Sequence, residues 1–130
     1  MNSVREIVQL TGGWDALAER PVTVRVDGFM PLCIEIIGRG RRGGVLLSVA
    51  HYHEQNGDLM RDPELVVEVT RADWLPVSYR QDGLGLLREV EVTKDGVAAF
   101  DHLLAADLVE FMGEWDRNVR DQGFVAAVGG

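Results

Sequence analysis

The chain is short of several things, and each shortage excludes something. Its 130 residues contain one cysteine, Cys33, so no disulfide closes within the chain and no cysteine-based zinc site can be assembled from it. That usage fits a reducing compartment, and a cytoplasmic location is expected. No apolar run approaches the roughly 20 residues that cross a bilayer as a helix. The N-terminal MNSVREIVQLTGGWDALAE carries charges inside its apolar pattern, unlike a secretory leader. Positive charge is scarce as well: 13 basic residues stand against 21 acidic ones, for a net charge of -8. Such a surface repels phosphates unless a local basic patch overrides it. Nucleophile elbows, phosphate-binding loops and HExxH are all missing. Neither a cofactor, a membrane contact nor a direct nucleic-acid contact is expected, and the oligomeric state is left open.

With no internal repeat, low-complexity tract or long linker, residues 1–130 read as a single α+β domain. Val4, Ile7, Val8, Thr11 and Trp14 recur at helical spacing, with Ser3 as N-cap and Glu6 three residues on as its capping-box partner. Gly12-Gly13 stops this helix, and a short turn from Trp14 to Glu19 follows. Strands are predicted over Pro21–Asp27, Leu32–Ile37, Val45–His53, Glu64–Thr70, Trp74–Arg80 and Leu86–Thr93. Between the second and third, Gly38-Arg39-Gly40-Arg41-Arg42-Gly43-Gly44 reads as a flexible basic hairpin loop. The final helix carries Phe100, Leu103, Leu104, Leu108, Phe111, Met112, Trp115 and Val119 as one apolar stripe. Gly123 is its C-cap, and Val125–Gly130 is expected to fray. Short connections imply an antiparallel meander of five to six strands, because parallel pairing needs a long crossover. The N- and C-terminal helices then pack on one sheet face, the only large partner for their stripes.

The segment His51–Glu64 is polar and dense in ligand-type atoms. Alternation puts His51 and His53 on one strand face and Tyr52 and Glu54 on the other. As a metal site, His51 and His53 would be joined by Glu54, Asp58 or Asp62. As plain structure, the histidines close the end of the sheet and Asn56-Gly57 makes a hairpin turn. The plain reading is preferred. Side chains of Asn56, Asp58 and Asp62 can fix turns by accepting backbone hydrogen bonds, so the segment is expected to be ordered, with Leu59 and Met60 tucked beneath it. Cys33 falls out of phase with its strand's apolar stripe and reads as an inert thiol. Trp14, Trp74 and Trp115 read as core anchors.

HYHEQNGDLMRDPELVVEV (His51–Val69), WLPVSYRQDGLGLLREV (Trp74–Val90) and FMGEWDRNVRDQGF (Phe111–Phe124) together resemble a family of small bacterial proteins carried on plasmids, integrative elements and phages and classed as a domain of unknown function. EQNGDLMRDPE is the most specific part of the likeness. Members often carry HYYEQNGD where this chain has His53, which weakens an obligatory metal role for that residue. The resemblance implies an accessory role on a mobile element and supplies no activity. A non-catalytic protein that binds another protein is therefore expected, in its most concrete form an inhibitor of host defence of anti-CRISPR or antirestriction type. The alternative is a small enzyme or metal-binding domain using the His51–Glu64 segment. Binding residues are expected among Glu54, Asn56, Asp58, Asp62, Glu110, Glu114 and Asp116. The motive is charge: residues 54–73 hold six acids against two arginines, and residues 95–121 hold seven against two. If folding brings these stretches onto one side, they attract a basic partner that normally handles nucleic acid.

Overall fold

The computed structural model describes residues 1–129. Helix α1 (Asn2–Leu10) buries Ser3, Val4, Ile7 and Val8. Gly12, with φ 114, turns the chain into α2 (Gly13–Glu19). Six antiparallel strands follow: β1 (Val22–Val24), β2 (Leu32–Arg39), β3 (Val45–Gln55), β4 (Asp58–Val69), β5 (Trp74–Gln81) and β6 (Leu86–Glu89). They lie in the order β1-β2-β3-β4-β5-β6, the meander that the short connections require. A separate ribbon pairs β7 (Val92–Thr93) with β8 (Gly96–Val97). The chain closes with α3 (His102–Asp121) and α4 (Phe124–Ala127).

Alternation along three adjacent strands builds the core. Leu32 and Ile34 of β2, Leu47 and Val49 of β3, and Leu65 and Val67 of β4 are fully buried, as are Val4, Ile7 and Val8 of α1. Trp115 and Val119 of α3 and Phe124 of α4 complete this cluster. A burial of this kind is worth about 1.5–3 kcal/mol per large aliphatic side chain. The helices thus cover one sheet face, as the stripes demand.

Several boundaries differ from the sequence reading, each for a physical reason. Ser3 is not the N-cap of α1: the N-cap is Met1, two residues earlier, and Asp116 of α3 caps the helix from a distance. The Asp116 carboxylate accepts the backbone N–H of Asn2 at 3.2 Å and of Ser3 at 2.8 Å, while the Ser3 hydroxyl donates to the Asp116 carbonyl at 2.9 Å. Glu6, freed from a capping box, takes Arg120 at 2.6 Å. The strand predicted over Leu86–Thr93 breaks after Glu89, because Val90 and Val92 turn into a second small cluster with Ala105 and Leu108.

The apolar stripe of α3 is narrower than predicted. Leu108 and Trp115 are buried, and Leu104 and Phe111 are half-buried. Phe100 and Leu103, however, are 80% and 85% exposed. Phe100 precedes the helix in a short 3-10 turn. Leu103 lies about a third of a turn away from the centre of the stripe at 3.6 residues per turn. At the other end, Gly123 (φ 92) turns the chain back. Val125–Ala127 of the expected frayed tail join Phe124 in α4, which inserts Phe124 and Val125 into the core, while Gly130 lies outside the described residues.

The basic connection Gly38–Gly44 is an ordered hairpin end rather than a flexible loop. Its anchor is Glu68 of β4, whose buried carboxylate accepts the backbone N–H groups of Arg42 at 3.0 Å and Gly44 at 2.9 Å. The Arg42 guanidinium also reaches Glu68, at 3.3 Å, and Asp73, at 2.8 Å.

Candidate functional site

The polar segment His51–Glu64 is mostly strand. β3 and β4 pair as far as Gln55 and Asp58, so a two-residue turn of Asn56 (φ 54) and Gly57 (φ 84) closes a long hairpin. Left-handed φ at both positions is what a type I′ turn needs, and Asn-Gly supplies it at least steric cost. The segment is ordered, by sheet pairing more than by side-chain turns. Glu54, Asn56 and Asp58 stand exposed at its tip. Leu59 is exposed at 63% rather than tucked beneath, since a hairpin tip extending past its neighbours has nothing underneath.

His51 is a packing residue. Its ring lies 5.5 Å from that of Trp115 and 5.4 Å from that of Phe124. The Nδ1 nitrogen sits 3.0 Å from the carbonyl of Met30, an arrangement that places the proton on Nδ1 as donor. Burial lowers its pKa below the ordinary 6.5, against the opposing pull of the Met30 and Pro31 carbonyls and of Asp62. His53 lies 3.9 Å from Asp62, and its buried Nδ1 has no hydrogen-bond partner. Asp62 accepts a hydrogen bond from Gln81 at 2.7 Å, and Gln81 in turn accepts one from the Tyr79 hydroxyl at 3.0 Å. Among the described residues, no group of three or more His, Cys, Asp or Glu side chains is arranged to hold a metal ion. Cys33 is half-buried, and burial raises its pKa.

Asp82, just beyond β5, latches two strands. One carboxylate oxygen accepts the Arg61 N–H at 2.9 Å and its guanidinium at 3.1 Å; the other accepts Arg80 at 2.7 Å. These bonds, the Arg61 backbone N–H foremost, hold the Asp82 pKa at about 2, below the ordinary 3.8. The folded form therefore binds its proton later than the unfolded chain, and the latch stabilises fully above pH 3.8 and is lost as the pH falls toward about 2. His51, also depressed, contributes a separate loss that begins as the pH falls below 6.5. In urea unfolding across this range, Asp82→Asn should flatten the lower acid limb and leave the His51 limb in place. An unchanged lower limb would remove Asp82 from the acid response.

The acidic stretches resolve into structural and free groups. Of the six acids in residues 54–73, Asp62, Glu64, Glu68 and Asp73 accept hydrogen bonds from Gln81, Ser48, Arg42 and Arg42 respectively. Glu54 and Asp58 alone remain exposed without such a bond. Asp116 is spent on the cap of α1, so it does not join Glu110 and Glu114 in facing outward. These two belong to a different set. Leu103, Asp107, Glu110, Glu114 and Asp121 are all exposed, and their spacing of three, four or seven residues puts them on one line along α3. That ridge is about 27 Å long at 1.5 Å per residue, apolar at its N-terminal tip and acidic thereafter except at the exposed Arg117, which shares the line three residues after Glu114 and four before Asp121. Asp107 and Asp121 do not stand out in a charge count along the chain. The same residues read at helical spacing would have shown the ridge.

Residues 2–125 match a family described as a domain of unknown function, DUF6908. The chain belongs to that family. The matched residues run from the start of α1 into α4 and include the β3–β4 hairpin and the α3 ridge. No curated protein and no solved structure matches the chain. No helix among the described residues is long and apolar enough to cross a membrane.

Proposed function

We propose that this chain is a non-catalytic accessory protein of a mobile genetic element that acts by binding a protein, and that its partner is a basic, nucleic-acid-handling component of host defence. The inhibitor would be of anti-CRISPR or antirestriction type. The α3 ridge carries this reading. Four carboxylates and one cation, Arg117, share a line on a rigid helix and leave it net negative, and an exposed Leu103 at one end offers an apolar anchor. A basic groove shaped to hold phosphates meets a comparable row of negative charge there. Such complementarity speeds encounter and loses force as salt rises. Asp62, Glu64, Glu68, Asp73 and Asp116 are hydrogen-bonded within the fold and are not counted in that surface.

The test is competition. The purified chain is added to a restriction endonuclease or CRISPR effector, and DNA binding is followed across a salt series. Inhibition is expected at low salt and should fade as salt is raised. Reversing Asp107, Glu110 and Glu114 to lysine should abolish it, with Asp116 left intact so that α1 stays capped. If the reversal leaves every detected interaction unchanged, the electrostatic account fails.

A further inference from the structure

A second surface feature opposes the acidic ridge in sign. The turns β2–β3 and β4–β5 meet the start of α1 and α2 around a cleft of about 550 Å3. Four of the chain's arginines, Arg5, Arg39, Arg42 and Arg71, line it together with Trp14 and Trp74, and no carboxylate side chain does. In a chain of net charge -8 this is a local reversal of field. Arg42 is fixed by Glu68 and Asp73 and forms a rigid part of the wall. Among the described residues, Arg5, Arg39 and Arg71 form no ion pair. Three guanidinium groups without an ion-pair partner around one cleft give it a positive field that attracts an anion.

The aromatic half of the cleft narrows the choice of anion. Trp14 and Trp74 stand 6.1 Å apart between ring centroids, tilted by 59°. Arg5 covers Trp74, with its guanidinium carbon 5.2 Å from the ring centroid. Trp74 is thereby occupied and positions Arg5. Trp14 is 36% exposed and lines the cleft. Guanidinium forks match phosphate oxygens, an indole stacks on a flat base, and the cleft volume lies in the range of small-molecule sites. We propose that this cleft binds a nucleotide, its phosphate held by Arg39 and Arg71 and its base stacked on Trp14. The same chemistry is offered by a free mononucleotide and by one unit of a single strand.

This site is separate from the α3 ridge, and its test does not depend on the protein-partner reading. Tryptophan fluorescence of the full chain is titrated with adenosine 5′-monophosphate, a short oligothymidylate, inorganic phosphate and a glutamate-rich peptide. Saturable quenching by the mononucleotide or the oligonucleotide is expected, with inorganic phosphate weaker by about tenfold because it lacks the stacking term, worth about 1–3 kcal/mol per base. Equal affinity for the two nucleic ligands assigns a free nucleotide. Tighter oligonucleotide binding with a steeper salt dependence assigns a single strand. Arg39→Glu and Arg71→Glu, both at exposed positions that leave the core intact, should each weaken binding at least about tenfold, the effect of losing one charge-assisted contact. Trp14→Leu should weaken the nucleotide but spare inorganic phosphate. The proposal is overturned if neither nucleic ligand binds, if phosphate or the acidic peptide binds as tightly as the nucleotides, or if the arginine reversals change nothing.

Discussion

Trp115→Ala should destabilise the protein by about 3–5 kcal/mol, the usual range for truncating a buried aromatic. Trp115 is 5% exposed and sits where three elements meet. Its ring lies 5.7 Å from that of Phe111 one turn earlier and 5.5 Å from that of His51 on β3, and it shares the core cluster with Val119 and Phe124. Truncation removes contacts to α3, α4 and the sheet at once. It also bares the ring of His51, whose depressed pKa depends on burial, so the His51 limb of the pH response should shrink in the same variant. Thermal or urea unfolding reads the first effect and its pH dependence the second. A variant as stable as the parent would take α3 out of the core and with it the rigid base of the acidic ridge.

Glu68→Ala should cost about 3–5 kcal/mol by a different route, the removal of one partner from a buried charged pair. The loss leaves the backbone N–H groups of Gly44 and Arg42 without their acceptor, and the Arg42 guanidinium keeps Asp73 and the backbone carbonyl of residue 68. Glu68 also shapes what lies around it. Any side chain at Gly40 would run into the Glu68 carboxyl group, so Gly40→Ala should reproduce part of the loss without touching a charge. Glu68→Gln retains an acceptor and should recover part of it. Amide exchange of Arg42 and Gly44 should accelerate in Glu68→Ala, because their N–H groups donate to that carboxylate, while the Gly40–Gly44 backbone pair remains. Since the turn supplies Arg39 and Arg42 to the basic cleft, nucleotide affinity should fall with it. Unfolding that matches the parent, with unchanged exchange in the turn, would show that the hairpin orders itself.

Much of the architecture was legible in the chain because period and turn chemistry act locally. Val-rich alternation with short Gly-containing turns dictates antiparallel neighbours, and Asn56-Gly57 alone selects the tight turn of the β3–β4 hairpin. The 3.6-residue spacing of Leu104, Leu108, Phe111, Trp115 and Val119 marks the buried side of α3, and Gly123 marks its end. These are statements about neighbouring residues, whose physics does not wait for the rest of the fold.

What only the tertiary structure decided is which polar groups are spent on the fold and which are left over. Asp116 looked as free as Glu114 in the sequence, yet it lies on the side of α3 that meets the bare N–H groups of α1, and a buried helix start must find acceptors. Glu68 looked like one acid among six and became the anchor of an arginine-rich turn, because a carboxylate in the middle of a sheet must be paired or stay out of the fold. The gathering of Arg5, Arg39, Arg71 and Trp14 around one cleft is equally invisible along the chain. Those residues come from four separate parts of the chain, and only the packing of helices over sheet ends brings them around one cleft.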